Sequence, residues 1–389
     1  MHHDYWDYYN PDYTWDDDEL YDGALEKTKR AFSTAGYDDS EIAALLESGY
    51  VVHNGIVIDR HYGGFLGSID MRTRFSITHF ADDLKTARNN VRIHRASSLE
   101  DVRKCVKQWG AASSPRLLFR GQTDSYSLGR PRPNPFFDVE GFGEVSLLPS
   151  LWRQMLRHKR MGRQYFSTLS PFEWDLVICS TFDVGEIDRR VEVARASGDW
   201  VGTYADMEDS NDPVLSAFGK MKLDLHMGMG FNLSAPLDTL LQHYGLLSPV
   251  LDLTSDIEVA IYFATHKYRD SAPDQPCGYN YIGTNGRKSV LYVLREDRNE
   301  MNVHGRERVM ENLHPLRPEL QSCVVCRSGP DAMNLAADFL FGIVRLDFDE
   351  LPQDTYTVSD LFPGPNQDRF LAAVKACLRQ PDRVTDFGP

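Results

Sequence analysis

Basic residues are scarce in this chain. Its 389 residues carry 42 Lys and Arg against 57 Asp and Glu, a formal net charge of −15. That balance argues against broad docking on a nucleic-acid backbone, which relies on cations to neutralise phosphates. It leaves room for a local basic cleft. Cysteine is also scarce: six are scattered along the chain, and only Cys323 and Cys326 are close, as Cys-Val-Val-Cys. One such pair without a second does not make a metal site, so no metal is expected, and the apolar setting reads as two buried strand thiols. Disulfides are not expected, and a reducing cytoplasm is the natural setting. No stretch approaches the ~20 apolar residues that span a bilayer. The opening MHHDYWDYYN has neither the basic nor the apolar region of a secretory signal. The expectation is a cytoplasmic protein without a membrane partner. Phosphate-loop, zinc-protease and nucleophile-elbow signatures are absent, and the single Gly-x-Gly within 226–231 lacks the strand–helix context of a dinucleotide fingerprint.

An apolar content of 42% is enough for a sizeable core, and the length suits one large domain or two ordinary ones. Residues 1–22 hold eight acids and no Lys or Arg, interleaved with Tyr5, Trp6, Tyr8, Tyr9, Tyr13, Trp15 and Tyr21. Such a segment reads as a self-repelling tail. Its aromatic density suits docking on a basic partner or covering the protein's own basic cleft. Residues 23–93 read as a small α+β region: helices over 22–36 and 38–49, then a hairpin turning at Asn54-Gly55.

Beyond it, 97–110 predicts a helix with a capping box from Ser97 to Glu100. Residues 116–122 predict a buried strand, and 146–156 a strand turning to helix at Pro149-Ser150. Residues 157–235 read as helical and loop-rich, with one long helix over 176–197. A helix over 236–245 ends at Gly245, and 248–268 reads as strand, turn and helix. Strands over 289–297 and 341–349 and a helix after Pro363 complete the chain. Helices interspersed with strands at long intervals predict an α+β fold with a mixed sheet and a helical insertion, rather than regular βαβ winding.

Several residues in this frame carry chemistry. Arg120 ends an apolar strand, where burial is costly unless the charge is paired. A guanidinium there suits phosphate or carboxylate, or else forms a structural ion pair with Asp252. Gly121 lets backbone approach a ligand. Asp252 and Thr254 alternate with Leu251 and Leu253 and share one strand face. Ser255 is placed as the cap of the next helix, whose N-terminus offers N–H groups to an anion or a ribose hydroxyl, although plain capping accounts for the pattern equally well. His243 is placed near the same turn, either as a satisfied core group or as part of the cleft. Tyr244 and Tyr262 could stack on a flat ring.

Four blocks in order resemble an FRG domain, the bacterial and phage module named for the tripeptide at Phe119-Arg120-Gly121. They are LLFRGQ (117–122), LLPSLWRQ (147–154), LQHYGLLSPVLDLTSDIEVAIYFATH (241–266) and SDLFPG (359–364). The resemblance covers 94–378 and leaves 379–389 as a C-terminal tail. Ser248-Pro249-Val250 and Leu253 depart from the family's usual Thr-Arg and Trp. RPELQS (317–322) is a looser counterpart of its later Arg-x-x-x-Gln element. By pattern, the order of Arg strand, Ser/Thr turn and Ala-x-x-Phe helix is similar to ADP-ribosyltransferases.

That resemblance implies NAD as substrate. Arg120, Thr254 and Gln321 would be the catalytic set. Arg120, Gly121, Gln122, His243, Tyr244, Asp252, Thr254 and Ser255 would surround the ligand. Arg120 would hold the pyrophosphate, Thr254 and Ser255 would shape the ribose pocket, and Asp252 would orient Arg120 or His243. A late acid that stabilises the transition state has no obvious counterpart; Gln321, Glu319 and Glu311 are its candidates. The implied activity is ADP-ribosyl transfer to an unspecified macromolecular acceptor in a toxin, phage or defence setting. The rival reading is a non-catalytic module that binds a nucleotide or phosphorylated ligand in the same cleft.

Overall fold

The computed structural model describes residues 18–53, 55–59, 62, 74–82, 91–111, 116–125, 127–150, 171–228, 240, 242–246, 248, 250–269, 278–284, 289–296, 301–303, 313–327, 334, 339–348 and 356–377. The chain starts with helix α1 (Asp18–Thr34), then α2 (Asp39–Glu47). Helix α1 begins four residues before the expected Asp22. Residues 1–17 of the expected tail lie outside the described residues. Helix α2 is capped by Asp38, whose carboxylate accepts from the Glu41 N–H. The hairpin forms as expected: β1 (Tyr50–His53) and β2 (Ile56–Asp59) pair antiparallel from His53↔Ile56, and Gly55 takes φ +78°. Strand β3 (Arg74–Ser76) joins β2. Phe32, Leu45, Tyr50, Phe75 and Phe80 form the core of this lobe.

The main element is a mixed seven-stranded sheet. Its strands are β4 (Arg92–Ala96), β5 (Leu117–Gln122), β8 (Val250–Thr254), β11 (Val290–Arg295), β12 (Met301–Val303), β13 (Cys323–Arg327) and β14 (Leu340–Leu346), in the order β12-β13-β8-β5-β11-β14-β4. All neighbours are antiparallel except β14 and β4. Short ribbons β6 (Asp138–Val139) with β7 (Gly143–Glu144), and β9 (His266–Arg269) with β10 (Gly278–Tyr281), lie outside it. This is an α+β fold. Residues 145–149, expected to start as a strand, join no ladder, and Arg153 lies outside the described residues.

Alternation along the strands explains the layers. Leu117, Phe119, Leu291 and Val293 face one side, where helix α3 (Leu99–Ala111) buries Leu99, Val102, Cys105 and Val106. The helix that follows β8, here α8 (Ile257–Thr265), adds Ala260, Ile261 and Ala264 to the same layer. Leu118, Leu251, Leu253, Tyr292 and Ile343 face the other side, against Val139, Val145 and Leu147. The cap of α3 shifts by one residue from the expected box. Ser98 Oγ accepts from the Asp101 N–H, and Asp101 accepts from the Ser97 N–H, because the first helical residue is the buried Leu99.

The insertion between β7 and β8 holds α4 (Pro171–Thr181), α5 (Val184–Ala196), α6 (Tyr204–Glu208) and α7 (Pro213–Gly228). The expected long helix over 176–197 is two helices. Asp183 breaks it by accepting the Glu186 N–H as the N-cap of α5, a local bond that outcompetes the helical ladder. Helix α9 (Leu316–Leu320) precedes β13. Near the C-terminus, α10 (Val358–Leu361) has a Thr357–Asp360 capping box, and α11 (Arg369–Cys377) packs beside α4 through Phe370, Leu371 and Val374. No described helix is long and apolar enough to cross a membrane.

Candidate functional site

Strand β5 is the middle strand of the sheet, yet its two edges differ. It pairs with β11 along six residues, from Gln122↔Val290 to Leu117↔Arg295. With β8 it pairs only at Phe119↔Thr254. Past that point the two strands have no ladder, and a cavity of about 430 Å³ occupies this region. Arg120, Gly121, Asp252, Leu253 and Thr254 line it from the strands. Gln242 and His243 enter from the segment before β8, Gln321 from the turn after α9, and Phe263, Tyr268 and Tyr279 from α8 and the β9–β10 ribbon.

Arg120 bridges the gap. Its Nη1 donates to Asp252 Oδ1 and to the Asp252 carbonyl, both at 2.7 Å. Gln242 Nε2 donates to the same Oδ1 at 3.0 Å. Burial pushes the Asp252 carboxyl up, but Arg120 and the other nearby groups outweigh it and hold the pKa down to about 2. Arg120 Nε is buried and donates to nothing, and Nη2 has no partner among the described residues. The ion pair with Asp252 therefore engages only one nitrogen of the guanidinium. With Nε sealed, Nη2 is the nitrogen that an anion could meet.

His243 sits behind this pair and is buried. Gln321 Nε2 donates to the Leu361 carbonyl at 3.0 Å, so Gln321 Oε1 is the acceptor for His243 Nδ1 at 3.0 Å. That network assigns the proton to Nδ1 and leaves Nε2 to accept from the Cys323 thiol at 2.9 Å. Burial lowers the His243 pKa and raises that of Cys323 well above its ordinary value. The result is a neutral thiol on a neutral imidazole, a packed pair rather than an activated nucleophile. Arg317 Nη1 approaches the His243 carbonyl at 3.3 Å. The Arg317 and Gln321 element thus supports His243 from both ends.

Gly121 lines the cavity and is also required by packing: a Cβ there would lie 1.7 Å from the Ala260 carbonyl oxygen of helix α8. Several expected site residues fall elsewhere. Gln122 does not line the cavity, and its Oε1 is buried without a partner. Tyr244 points away into the second core, donating to Asp368 at 2.5 Å and packing on Phe370. Tyr262 is buried with its ring stacked on His266 at 4.1 Å. Ser255 is not the helix cap. Its N–H and hydroxyl both donate to the Ser322 carbonyl, while Asp256 caps α8 by accepting the Glu258 N–H. A carboxylate already occupies the helix N-terminus expected to take an anion.

Thr254 lines the cavity, but its hydroxyl donates to the Gln321 carbonyl at 2.8 Å and accepts from the Asp256 N–H at 3.0 Å. Both ends of the Gln321 amide are also taken. Glu319 is exposed and outside the cavity, and Glu311 lies outside the described residues. Helix α8 ends at Thr265 and the chain turns to strand at His266, earlier than expected. That turn brings in Tyr268 and, through the ribbon, Tyr279. Sequence reasoning missed both rings; nothing around Tyr279 resembles a motif. Cys323 and Cys326 are buried strand thiols, as expected.

No curated protein and no solved structure matches the chain. Residues 195–272 match the family model of the FRG domain. The match contains Gln242, His243, Asp252 and Thr254; Arg120 lies before it in sequence and joins these residues through the β5–β8 contact. The chain is an FRG domain-containing protein.

Proposed function

We propose that the FRG domain holds a nucleotide in the Arg120 cleft, that NAD is this ligand, and that the reaction is ADP-ribosyl transfer to a macromolecule in a toxin, phage or defence setting. The observation that carries the reading is the half-used guanidinium. Nη1 is fixed by Asp252, Nε is sealed, and Nη2 has no partner among the described residues, in a side chain that lines a cavity of about 430 Å³. A donor edge held in advance loses little freedom when it meets a phosphate. Three aromatic side chains in the same wall, Phe263, Tyr268 and Tyr279, suit a flat base or ring.

A second reading, a binding module without catalysis, is favoured by a different observation. Among the described residues Asp252 is the only carboxylate lining the cavity, and both ends of the Gln321 amide are engaged within the protein. The deciding experiment is nicotinamide release from NAD by purified protein, with and without cell lysate, beside Arg120→Ala. Release that depends on Arg120 supports the transferase or glycohydrolase class. No release, with a melting temperature raised by NAD or ADP-ribose only in the wild type, supports the module. Neither effect removes the nucleotide reading.

A further inference from the structure

The two oxygens of Asp252 are used unequally. Oδ1 accepts both hydrogen bonds, from Arg120 at 2.7 Å and from Gln242 at 3.0 Å. Oδ2 accepts none from the described residues and is not among the sealed polar atoms, and the side chain is 26% exposed. One carboxylate oxygen is therefore tied to Arg120, the other is not engaged by the described residues, and Asp252 lines the cleft. Its charge is fixed, because Arg120 and its other neighbours keep the group ionised far below neutral pH.

The same cavity carries a wall of rings. Tyr279 stacks on Phe362 with centroids 5.1 Å apart and meets Tyr268 and Phe263 edge-on at 5.5 and 5.7 Å. Burial first, and then the Asp252 charge, raise the Tyr279 phenol, so its ring stays neutral and lies within reach of that carboxylate's field. A ring face attracts cations, and a carboxylate oxygen does so more strongly in a partly desolvated site. An anion site on Arg120 thus adjoins a cation site built from Asp252 Oδ2 and the aromatic wall.

We infer that the cleft selects a ligand bearing both a phosphate and a positively charged aromatic ring, with Asp252 as the specificity-determining residue. This rests on the nucleotide reading above and narrows it: the oxidised dinucleotide NAD+, with its pyridinium, binds in preference to NADH, whose dihydropyridine is neutral. ADP-ribose, lacking the ring, engages only the Arg120 half.

The test is calorimetric titration of the full chain with NAD+, NADH and ADP-ribose, for wild type and Asp252→Asn. Asparagine keeps an oxygen for Arg120 Nη1 and removes the charge. Wild type is expected to favour NAD+ over NADH by about tenfold or more. Asp252→Asn is expected to bring that ratio close to one while ADP-ribose still binds. Equal wild-type affinity for NAD+ and NADH, with ADP-ribose bound, overturns the cation site and leaves the nucleotide reading standing. Preference kept in Asp252→Asn overturns the role of Asp252. Failure of all three ligands to bind wild type overturns both readings. Should Asp252→Asn not fold, the wild-type ratio still decides on the cation site, and Tyr279→Leu, expected to lower it, replaces the variant arm.

Discussion

Arg120 donates one nitrogen, Nη1, to two oxygens of Asp252, the side-chain Oδ1 and the main-chain carbonyl, each at 2.7 Å. The residues are 132 apart in sequence. The bond ties two neighbouring strands together where their ladder stops, so it sets the shape of the cleft as well as its charge.

The pair makes stability depend on acid. The Asp252 pKa is about 2 in the folded protein and ~3.9 in an unfolded chain. A depressed carboxyl contributes stability that is complete above the unfolded value and is lost as pH falls through the folded one. The difference corresponds to about 2.6 kcal/mol at neutral pH. Urea midpoints of wild type and Asp252→Asn are expected to differ at pH 7 and to converge between pH 4 and pH 2. A gap of equal size at both ends of that range would refute the ion-pair account.

Gly121→Ala is expected to be among the most damaging single changes in the chain. The new Cβ would sit 1.7 Å from the Ala260 carbonyl oxygen and 2.8 Å from the Ala264 nitrogen, both main-chain atoms of α8. Helix and strand would have to separate, a cost of at least about 4 kcal/mol. Thermal melting by circular dichroism checks this; a melting temperature within a few degrees of wild type would contradict the packing described.

The His243 pKa is expected below its ordinary value, because burial disfavours the imidazolium. The unfolded chain takes up that proton near pH ~6.5. The stability tied to neutral His243 is therefore complete above that pH and falls as acid is added, until the depressed folded value is passed. Heteronuclear NMR of the ring nitrogens should show the Nδ1–H tautomer at pH 7 and a protonation midpoint below the ordinary imidazole value. A titration at the ordinary value would contradict the burial.

A fourth expectation concerns the N-terminal lobe. Arg130 donates to both oxygens of Asp59 and both of Glu144, whose side chains are fully buried. Burial raises the Glu144 pKa while Arg130 opposes it. Tyr62 donates to Glu144 and Asn134 to Asp59, completing the cluster. Arg130→Met strands two carboxylates and should cost about 3–5 kcal/mol. Adding Asp59→Asn and Glu144→Gln should recover much of the loss in chemical denaturation. A single-variant loss under about 1 kcal/mol would show the cluster to be dispensable.

Much of this could be read before any coordinates. The Asn54-Gly55 turn, strands β5, β11 and β14, and the buried thiols of β13 follow from local chemistry: β-branched runs, glycine where φ is positive, and apolar stretches too short for a helix. The likeness of four spaced blocks to the FRG domain also came from residue order alone, and so did Arg120, Asp252, His243, Thr254 and Gln321 as cleft residues. The break at Asp183 and the shifted cap at Ser98 were less legible. In both places one side-chain hydrogen bond overrides a periodicity that sequence alone would extend.

The sequence by itself determined the chain's acidity, its α+β character and the residue types gathered around the Leu-Asp-x-Thr strand. Only the tertiary structure decided which of them face the cleft. Tyr244 and Tyr262 lie in the block that resembles the family and Tyr268 and Tyr279 do not, yet burial takes the first two into cores and the β9–β10 ribbon brings the second two to the cavity. Gly121 lines the cavity, and its lack of a Cβ is also what lets helix α8 pack against β5. Arg120 and Asp252 line a cavity beside the point where β5 and β8 pair at one position and then stop, a long-range register that no local pattern encodes.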